Sequence, residues 1–487
     1  MKVGMRPIVR LRGHFNNYSW GKMGFNSEVA MLFQAGHDDF TINPDQPYSE
    51  LWMGTHPDGP ARLLEDDTKL STFIARQNER NNNQPASSAA QHLPFIMKVM
   101  SIERTLSLQV HPTKEQAFDL HQRDPINYPD MNHKPELAYA LTRFQLLCGF
   151  RPHREMLKNL ESFRSLKALF GPKANDFITA LRNWNRYTED AELLCKILLK
   201  ECFTHMMEIR DSVIMNDLIF VLFEELEDGV RGSVEETTVD ILRKMRIDFP
   251  GDVGVFSPLI LNHMILKPGE CCYYAAQELH AYISGECVEC VGCSNNTIRA
   301  AMTPKYIDRE ALIDVLNYQM TEPERYLVYP EVVPSFPAVE HYAPECKDFQ
   351  LHKIKINHGS VNIPLPPLDC GSIIIIHSGS AILEEEPSQS YNNQVFTMKY
   401  KVKRGSIYYI QPGSRIKFSS CTEDLEAFRT FSFEEGPDHE SRTVVGIRHR
   451  NGIDFEPLGG PSHFEEGRLR KVESGILVDE LEADGFI

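Results

Sequence analysis

Gln109 and His111 stand two residues apart in a segment where Leu106, Leu108 and Val110 alternate with Ser107, Gln109 and His111. Strand side chains alternate faces, so an extended backbone here aims Gln109 and His111 the same way, one step apart. Two such side chains can grip one ion. Zinc takes imidazole nitrogen and carboxylate oxygen at about 2.0–2.2 Å, and His111, Glu136 and His280 offer those types from three separated segments. Gln109 would add a neutral oxygen, an uncommon ligand. Zn²⁺ with a single carboxylate is a net positive centre, suited to polarising hydroxyl and carbonyl oxygens. Spacing alone does not select this set. The chain has 18 histidines, and histidines satisfied inside a core are the plainer reading of any two of them.

Other polar residues sit near these. Lys134 lies two positions before Glu136, so a strand there aims both side chains into one site, although an arbitrary lysine is usually solvated. Glu289 falls between Val288 and Cys290. A carboxyl in apolar surroundings has a raised pKa, as general acid/base work requires; an exposed edge residue is the equal alternative. Cys287-x-x-Cys290-x-x-Cys293 looks like a metal run, but the ferredoxin pattern needs a fourth cysteine where Thr297 stands. On a strand, Cys290 would face away from Cys287 and Cys293, so buried reduced thiols are expected.

The elements around these residues change character along the chain. Residues 1–151 read as short strands, including Phe95–Val99 and Leu106–Val110, with Asn78–Gln91 a polar surface loop. Pro112 ends its strand, and Thr113 with Gln116 predicts a capping box opening a helix. From 152 to 249, apolar residues recur at three- and four-residue spacing, as in Leu193, Leu194, Ile197 and Leu198, so a helical insert is expected. Strand patterning resumes over Leu259–Leu266 and, in a further β region, from 329 to about 440. Residues 441–487 read as a covering segment or tail. The stretch from Gly269 to His280 matches that from Gly405 to Ile416 without a gap, each a Gly-led strand, turn and return strand of the jelly-roll kind. His280 in the first copy is Ile416 in the second, so only the first can bind metal there.

The 487-residue chain carries 51 Lys and Arg against 68 Asp and Glu, a net charge of −17. That balance disfavours nucleic acid, whose phosphates reward a basic face, yet permits a small anion held by a few local cations. No apolar run of about 18 residues occurs, so no membrane span is expected. The start, MKVGMRPIVRLRGHF, lacks the apolar core of a secretory signal, and 11 cysteines, an odd number, suit reduced thiols. A cytoplasmic monomer is expected.

Several long blocks are then specific. NNYSWGKMGFNSEVA, YSELWMGTHPDGPA, LSLQVHPTKEQA, NHKPELAYALTRFQLLCGFRP, FPGDVGVF and GECCYYAAQELHAYISGECVECVGCSNNTIRAAMTPKYID resemble, in order, type I mannose-6-phosphate isomerases. The likeness runs from about residue 10 to 310 and continues more loosely beyond. It implies a mainly β fold of two cupin-type jelly rolls, the second without metal, plus the helical insert. It also implies one Zn²⁺ per chain on Gln109, His111, Glu136 and His280, with Arg299 as the essential arginine. The implied reaction interconverts mannose 6-phosphate and fructose 6-phosphate through a cis-enediol, feeding mannose activation for GDP-mannose and glycosylation. On that resemblance Lys134 either shuttles the proton or holds phosphate, Glu289 is the second acid/base candidate, and Ser107 and Lys98 are phosphate contacts. Trp20 and Lys22 either wall the pocket or serve as core. Two departures stand out: Asn295 where the family has Asp, and Ala301 where it has Gly, which would crowd the loop near Arg299. An amide cannot act as a carboxylate base, so a catalytically silent paralogue that binds zinc and a sugar phosphate is the alternative.

Overall fold

Alternation on either side of Thr105 becomes the strands Phe95–Ile102 and Leu108–Val110. The computed structural model describes residues 7–82, 91–184, 188–385 and 398–434; the expected tail at 441–487 lies outside them. Among the described residues the first sheet has ten strands. Its axis is the long strand His280–Gly292, which pairs in turn with Phe144–Phe150, Leu108–Val110, Phe95–Ile102 and Glu136–Ala140. Gly285 lets it bend: φ is 113°, and a Cβ there would stand 2.5 Å from the carbonyl oxygen of Arg143.

The 153–248 segment is helical, with six α-helices from His153–Ser162 to Glu236–Asp248 among the described residues. They supply a lid of apolar side chains to one face of the sheet. Leu108, Val110, Ile298 and Ala300 are buried in one cluster with Leu199, Phe203 and Leu242. Each such burial contributes roughly 1.5–3 kcal/mol, and together they fix which way the 108–110 strand faces. Gln109 must therefore turn to the other side.

A second pair of sheets, of eight and four strands, packs around Ile374, Ile376, Leu383, Ile410 and Phe418. Ile373 and Ile375 point the opposite way, into a cluster with Leu51, Val99, Leu137 and Phe428 that joins this jelly roll to the first sheet. Burial on both faces explains the unbroken Ile373–Ile376 run. The N-terminal strand Ile8–Arg12 pairs with Ile407–Ile410 and so lies in the second jelly roll's sheet, although the segments after it build the first.

The repeat is structural. Cys271–Tyr274 and Ile407–Ile410 are strands at equal offsets, each after a glycine of positive φ, and the return strands begin at His280 and Ile416. Ile416 is core. Gly405 also has no room for a side chain, since its Cβ would meet the Leu32 carbonyl oxygen at 2.0 Å.

Two local expectations are corrected, at Asn78–Asn82 and at Leu259–Ile260, and others hold. Asn78–Asn82 is the last part of the helix Leu70–Asn82 rather than loop, because a helix nucleated by Leu70, Phe73 and Ile74 carries its polar face outward; residues 83–90 are not described. Leu259 and Ile260 end a short helix, and the strand starts at Leu261. Trp20 is core, buried with Phe144 and Tyr282, and Lys22 pairs with Glu286 at 3.3 Å. The three cysteines are buried thiols in no disulfide, with Cys287 and Cys290 in separate apolar clusters.

Glu28, on the first helix, joins the second jelly roll through charge. His377 lies 3.1 Å from both Glu28 and Glu426, and Arg404 reaches Glu28 at 2.7 Å. Burial would lower the His377 pKa, but its two carboxylate partners outweigh it and raise the pKa to about 9. A raised folded-state pKa stabilises fully below the unfolded value of roughly 6.5, and that stability is lost as pH climbs through the folded value. His377→Gln should therefore cost on the order of 1–3 kcal/mol at pH 6, a gap that closes by pH 9. Urea unfolding of both proteins across that range checks it; a pH-independent gap would refute the charge clamp.

Candidate metal centre and active site

Register across three strands builds the centre. His280 is the cross-strand partner of Gln109, and Gln109 is the partner of Arg299 on the strand Ile298–Ala301. Glu136 opens the adjacent strand Glu136–Ala140. The donor atoms of His111, Glu136 and His280, all buried, lie within 4.8 Å of one another. His111 Nε2 is 3.1 Å from Glu136 Oε1, His280 Nε2 is 3.6 Å from Glu136 Oε2, and Gln109 Nε2 is 3.4 Å from His280 Nε2. Rotating the Gln109 amide by half a turn presents its oxygen there instead.

The far sides of these ligands are held. His111 Nδ1 donates to the Asn296 carbonyl at 2.8 Å and His280 Nδ1 donates to the Glu278 carbonyl at 2.9 Å. That fixes both Nε2 atoms as lone-pair donors facing inward. Tyr274 donates its hydroxyl to Glu136 Oε2 at 2.8 Å. Burial lowers both imidazole pKa values, that of His280 to about 4, so both are neutral at pH 7. Burial alone would raise the Glu136 pKa, but the charge of Lys134 and the nearby imidazoles carry it well below the usual range. His111 Nε2 is buried with no hydrogen-bond partner, an expensive state for a polar atom unless a cation completes it. Two neutral imidazoles and one carboxylate are a zinc donor set. The residues fit the metal.

Lys134 Nζ lies 3.3 Å from Glu136 Oε1. It does so from irregular backbone, not from the expected strand, because Pro135 delays pairing until Glu136. A second row runs parallel to the first. Trp52 opposes Lys98 and Lys98 opposes Glu289 on three neighbouring strands. Lys98 Nζ meets Glu289 Oε2 at 2.8 Å and Glu50 Oε1 at 3.5 Å, over the Trp52 ring. Tyr282 donates to Glu289 Oε1 at 3.0 Å. Burial raises the Glu289 pKa against the opposing charge of Lys98. Desolvation pulls Lys98 down, but Glu289 and Glu50 push its pKa up further. Its ammonium thus already answers two carboxylates.

Ser107 is buried and directs its hydroxyl to Gln109 Oε1 at 3.3 Å. Arg299 borders a polar cleft lined by Asn127, Tyr128, Thr297, Tyr306 and Asp308. Ala301 does not crowd it: the left-handed backbone falls one residue on, at Met302 (φ 57°), and Gly254 makes room opposite the Ala301 methyl.

Sequence reasoning missed the supports. Asp130 accepts from Ser294 Oγ at 2.7 Å, the Asn295 amide at 2.8 Å and Asn296 Nδ2 at 3.2 Å, fixing the loop whose carbonyl orients His111. Only the cluster Ser294-Asn295-Asn296, typical of side-chain-braced turns, signalled it. Tyr274 sat in view inside the repeat, where it read as pattern rather than partner. Asn295 donates Nδ2 to Asp58 Oδ2 at 2.6 Å, so an amide is the form that fits. Asn295→Asp would set two carboxylates against each other and should cost about 1–3 kcal/mol at pH 7. Repulsion raises the pair's pKa, so urea unfolding should show the deficit shrinking toward pH 4; equal stability at pH 7 would contradict the contact.

Known proteins share this architecture. Residues 8–153 match the family model "Phosphomannose isomerase type I, catalytic domain", and 170–261 match "Phosphomannose isomerase type I, helical insertion domain". Mannose-6-phosphate isomerases of Bos taurus and Homo sapiens are each 34% identical over 417 residues, 85% of this chain and 95% of theirs. A mutant phosphomannose isomerase from Salmonella typhimurium superposes with TM-score 0.70 at 23% identity, covering 88% of this chain and all of that one, which shows that the two share a fold. A mannose 6-phosphate isomerase bound with zinc and yttrium superposes with TM-score 0.69 at 24% identity over 88% of this chain. Identity at this level along nearly the whole length of its relatives, over a mainly β fold with the helical insertion, places the chain in the type I phosphomannose isomerase family.

Proposed function

We propose that the chain is a zinc-dependent aldose–ketose isomerase interconverting mannose 6-phosphate and fructose 6-phosphate through a cis-enediol, with one zinc per chain. The carrying observation is the buried convergence of His111, Glu136 and His280 around an unpartnered His111 Nε2, in register with Arg299. Gln109 is the fourth ligand in this reading. Zinc bound there supplies positive charge that polarises the sugar's hydroxyl and carbonyl oxygens.

The chain's own groups move the proton. A base takes it from C2 of the open-chain aldose, and the C–H electrons form C1=C2 as the C1=O pair moves to O1, which takes a proton. The O2 hydroxyl then gives up its proton, C2=O forms, and the C1=C2 electrons take the proton back at C1 to give the ketose. Lys134 and Glu289 are the assigned acid/base groups, with Lys98 governing Glu289. Arg299 stabilises the anionic enediol or grips the phosphate, and Ser107 adds a hydroxyl to that grip. The ketose product links mannose to central sugar metabolism and, in the reverse sense, feeds GDP-mannose and glycosylation.

Residues 1–151 with 250–328 form the catalytic jelly roll in this reading, 152–249 the insert, 329–440 the metal-free jelly roll and 441–487 a cover or tail. The chain acts as a cytoplasmic monomer. Relatives at 34% identity named for this activity support the reading. Among the described residues no helix is long and apolar enough to cross a membrane. Metal content and mannose 6-phosphate turnover, measured on one preparation, test it. About one zinc per chain with turnover is expected; stoichiometric zinc with none would sink it and leave the silent paralogue.

A further inference from the structure

The loop that carries Lys134 has no ladder of its own. Residues 132–135 are irregular, between a turn braced by Asp130 and the strand that starts at Glu136. A long-range side-chain hydrogen bond ties it to a residue outside the domain. His133 Nε2 lies 2.9 and 2.8 Å from the two carboxylate oxygens of Asp348, which is 5% exposed and belongs to the metal-free jelly roll.

Asp348 is itself a fixed point. The next residue, Phe349, is fully buried in the cluster with Leu137 and Tyr139, on the strand that begins with Glu136. The preceding residue, Lys347, gives its carbonyl to Ser432 Oγ at 2.7 Å. The carboxylate is therefore anchored to both jelly rolls within one residue on either side, and it grips the side chain adjacent in sequence to Lys134. We infer that Asp348 is a positioning residue: through His133, the metal-free jelly roll holds the Lys134 ammonium beside Glu136. This rests on Lys134 acting in the isomerisation proposed above, and it gives the second jelly roll a part in the chemistry of the first.

Positioning errors near 1 Å cost about a hundredfold in rate. Asp348→Ala should lower kcat about 10- to 100-fold while zinc per chain stays unchanged, since Glu136 is held independently by its strand and Tyr274. Asp348→Asn keeps one acceptor for His133 and should fall between. In a double-mutant cycle, Asp348→Ala should add almost nothing on a His133→Ala background. Unchanged kcat per zinc-loaded chain, or full additivity with His133→Ala, would overturn the inference, and a purely structural Asp348 would show itself as lost stability or zinc at constant kcat. Should the unmodified chain turn over no mannose 6-phosphate, the functional reading fails separately. Amide hydrogen exchange over 132–136 then decides: at least about tenfold faster exchange in Asp348→Ala upholds the clamp, and equal protection refutes it.

Discussion

His280→Ala should leave the chain unable to keep zinc through dialysis against a chelator, with isomerase activity falling below about 1% of the parent. Removing a hydrogen-bond partner behind a ligand typically costs about 10–100-fold in metal affinity, so removing a ligand costs more. Tyr274→Phe supplies the internal comparison. It deletes the 2.8 Å bond to Glu136 but no donor to the metal, so its loss should be about tenfold. Two results thus form a graded pair, and elemental analysis by mass spectrometry reads both. Chelated parent protein should lose activity and regain it with added zinc. Undiminished zinc in His280→Ala would mean the ion sits elsewhere, and every role given to this centre would go with it.

Neither variant should unfold the chain. His280 opens a strand paired on both sides, and its imidazole packs against the ring of Tyr274 at 4.3 Å between centroids. Taking away its ring leaves the Glu278 carbonyl without the donor it has at 2.9 Å, a cost of roughly 1–3 kcal/mol. Stability with zinc absent should therefore drop by roughly 1–3 kcal/mol, whereas stabilisation by added zinc, which follows binding, should vanish.

How far the centre was legible in the sequence depended on which physical constraint set each position. Gln109 and His111 were readable because period-two alternation forces a shared face, and the clusters on Leu108 and Val110 show that alternation at work. The capping box at Thr113 and Gln116 was readable for the same reason, a local pattern with local geometry, and both of its bonds form. Glu136 and His280 were different. Their meeting with His111 depends on strand order, and sheet neighbours far apart in sequence leave no spacing to count. Resemblance to a family chose them where periodicity did not.

The supports were hidden for a further reason. Asp130 and Asp348 act through hydrogen bonds to loops, where an acidic residue carries no period to mark its partner. Tyr274 meets Glu136 across two paired strands whose register no spacing reveals. Lys134 shows the limit from the other side. The expected strand was absent because of Pro135, yet the ammonium still reaches Glu136 from irregular backbone. The helix at Asn78–Asn82 failed in the opposite direction, since polar composition outweighed a helix already nucleated at Leu70.

Arg299→Ala carries the other large expected effect, and its pattern matters as much as its size. Removing one preorganised donor to a developing oxyanion costs about 10²–10³ in kcat, and Arg299→Lys should recover little, because a compact ammonium lacks the planar fork. Zinc content should not change, since Arg299 is the cross-strand partner of Gln109 and stands outside the three buried donors that converge. The kinetic split then assigns the role. If the guanidinium stabilises the enediol, kcat falls at nearly constant KM; if it grips the phosphate in both ground and transition states, KM rises with kcat preserved. A substrate lacking the phosphate separates these again, because only an oxyanion stabiliser would still be missed. Wild-type kinetics in Arg299→Ala would exclude both roles and leave the cleft beside Asn127 and Tyr306 without its cation. The row His280, Gln109, Arg299 would then be a consequence of strand register with no chemical meaning beyond the metal.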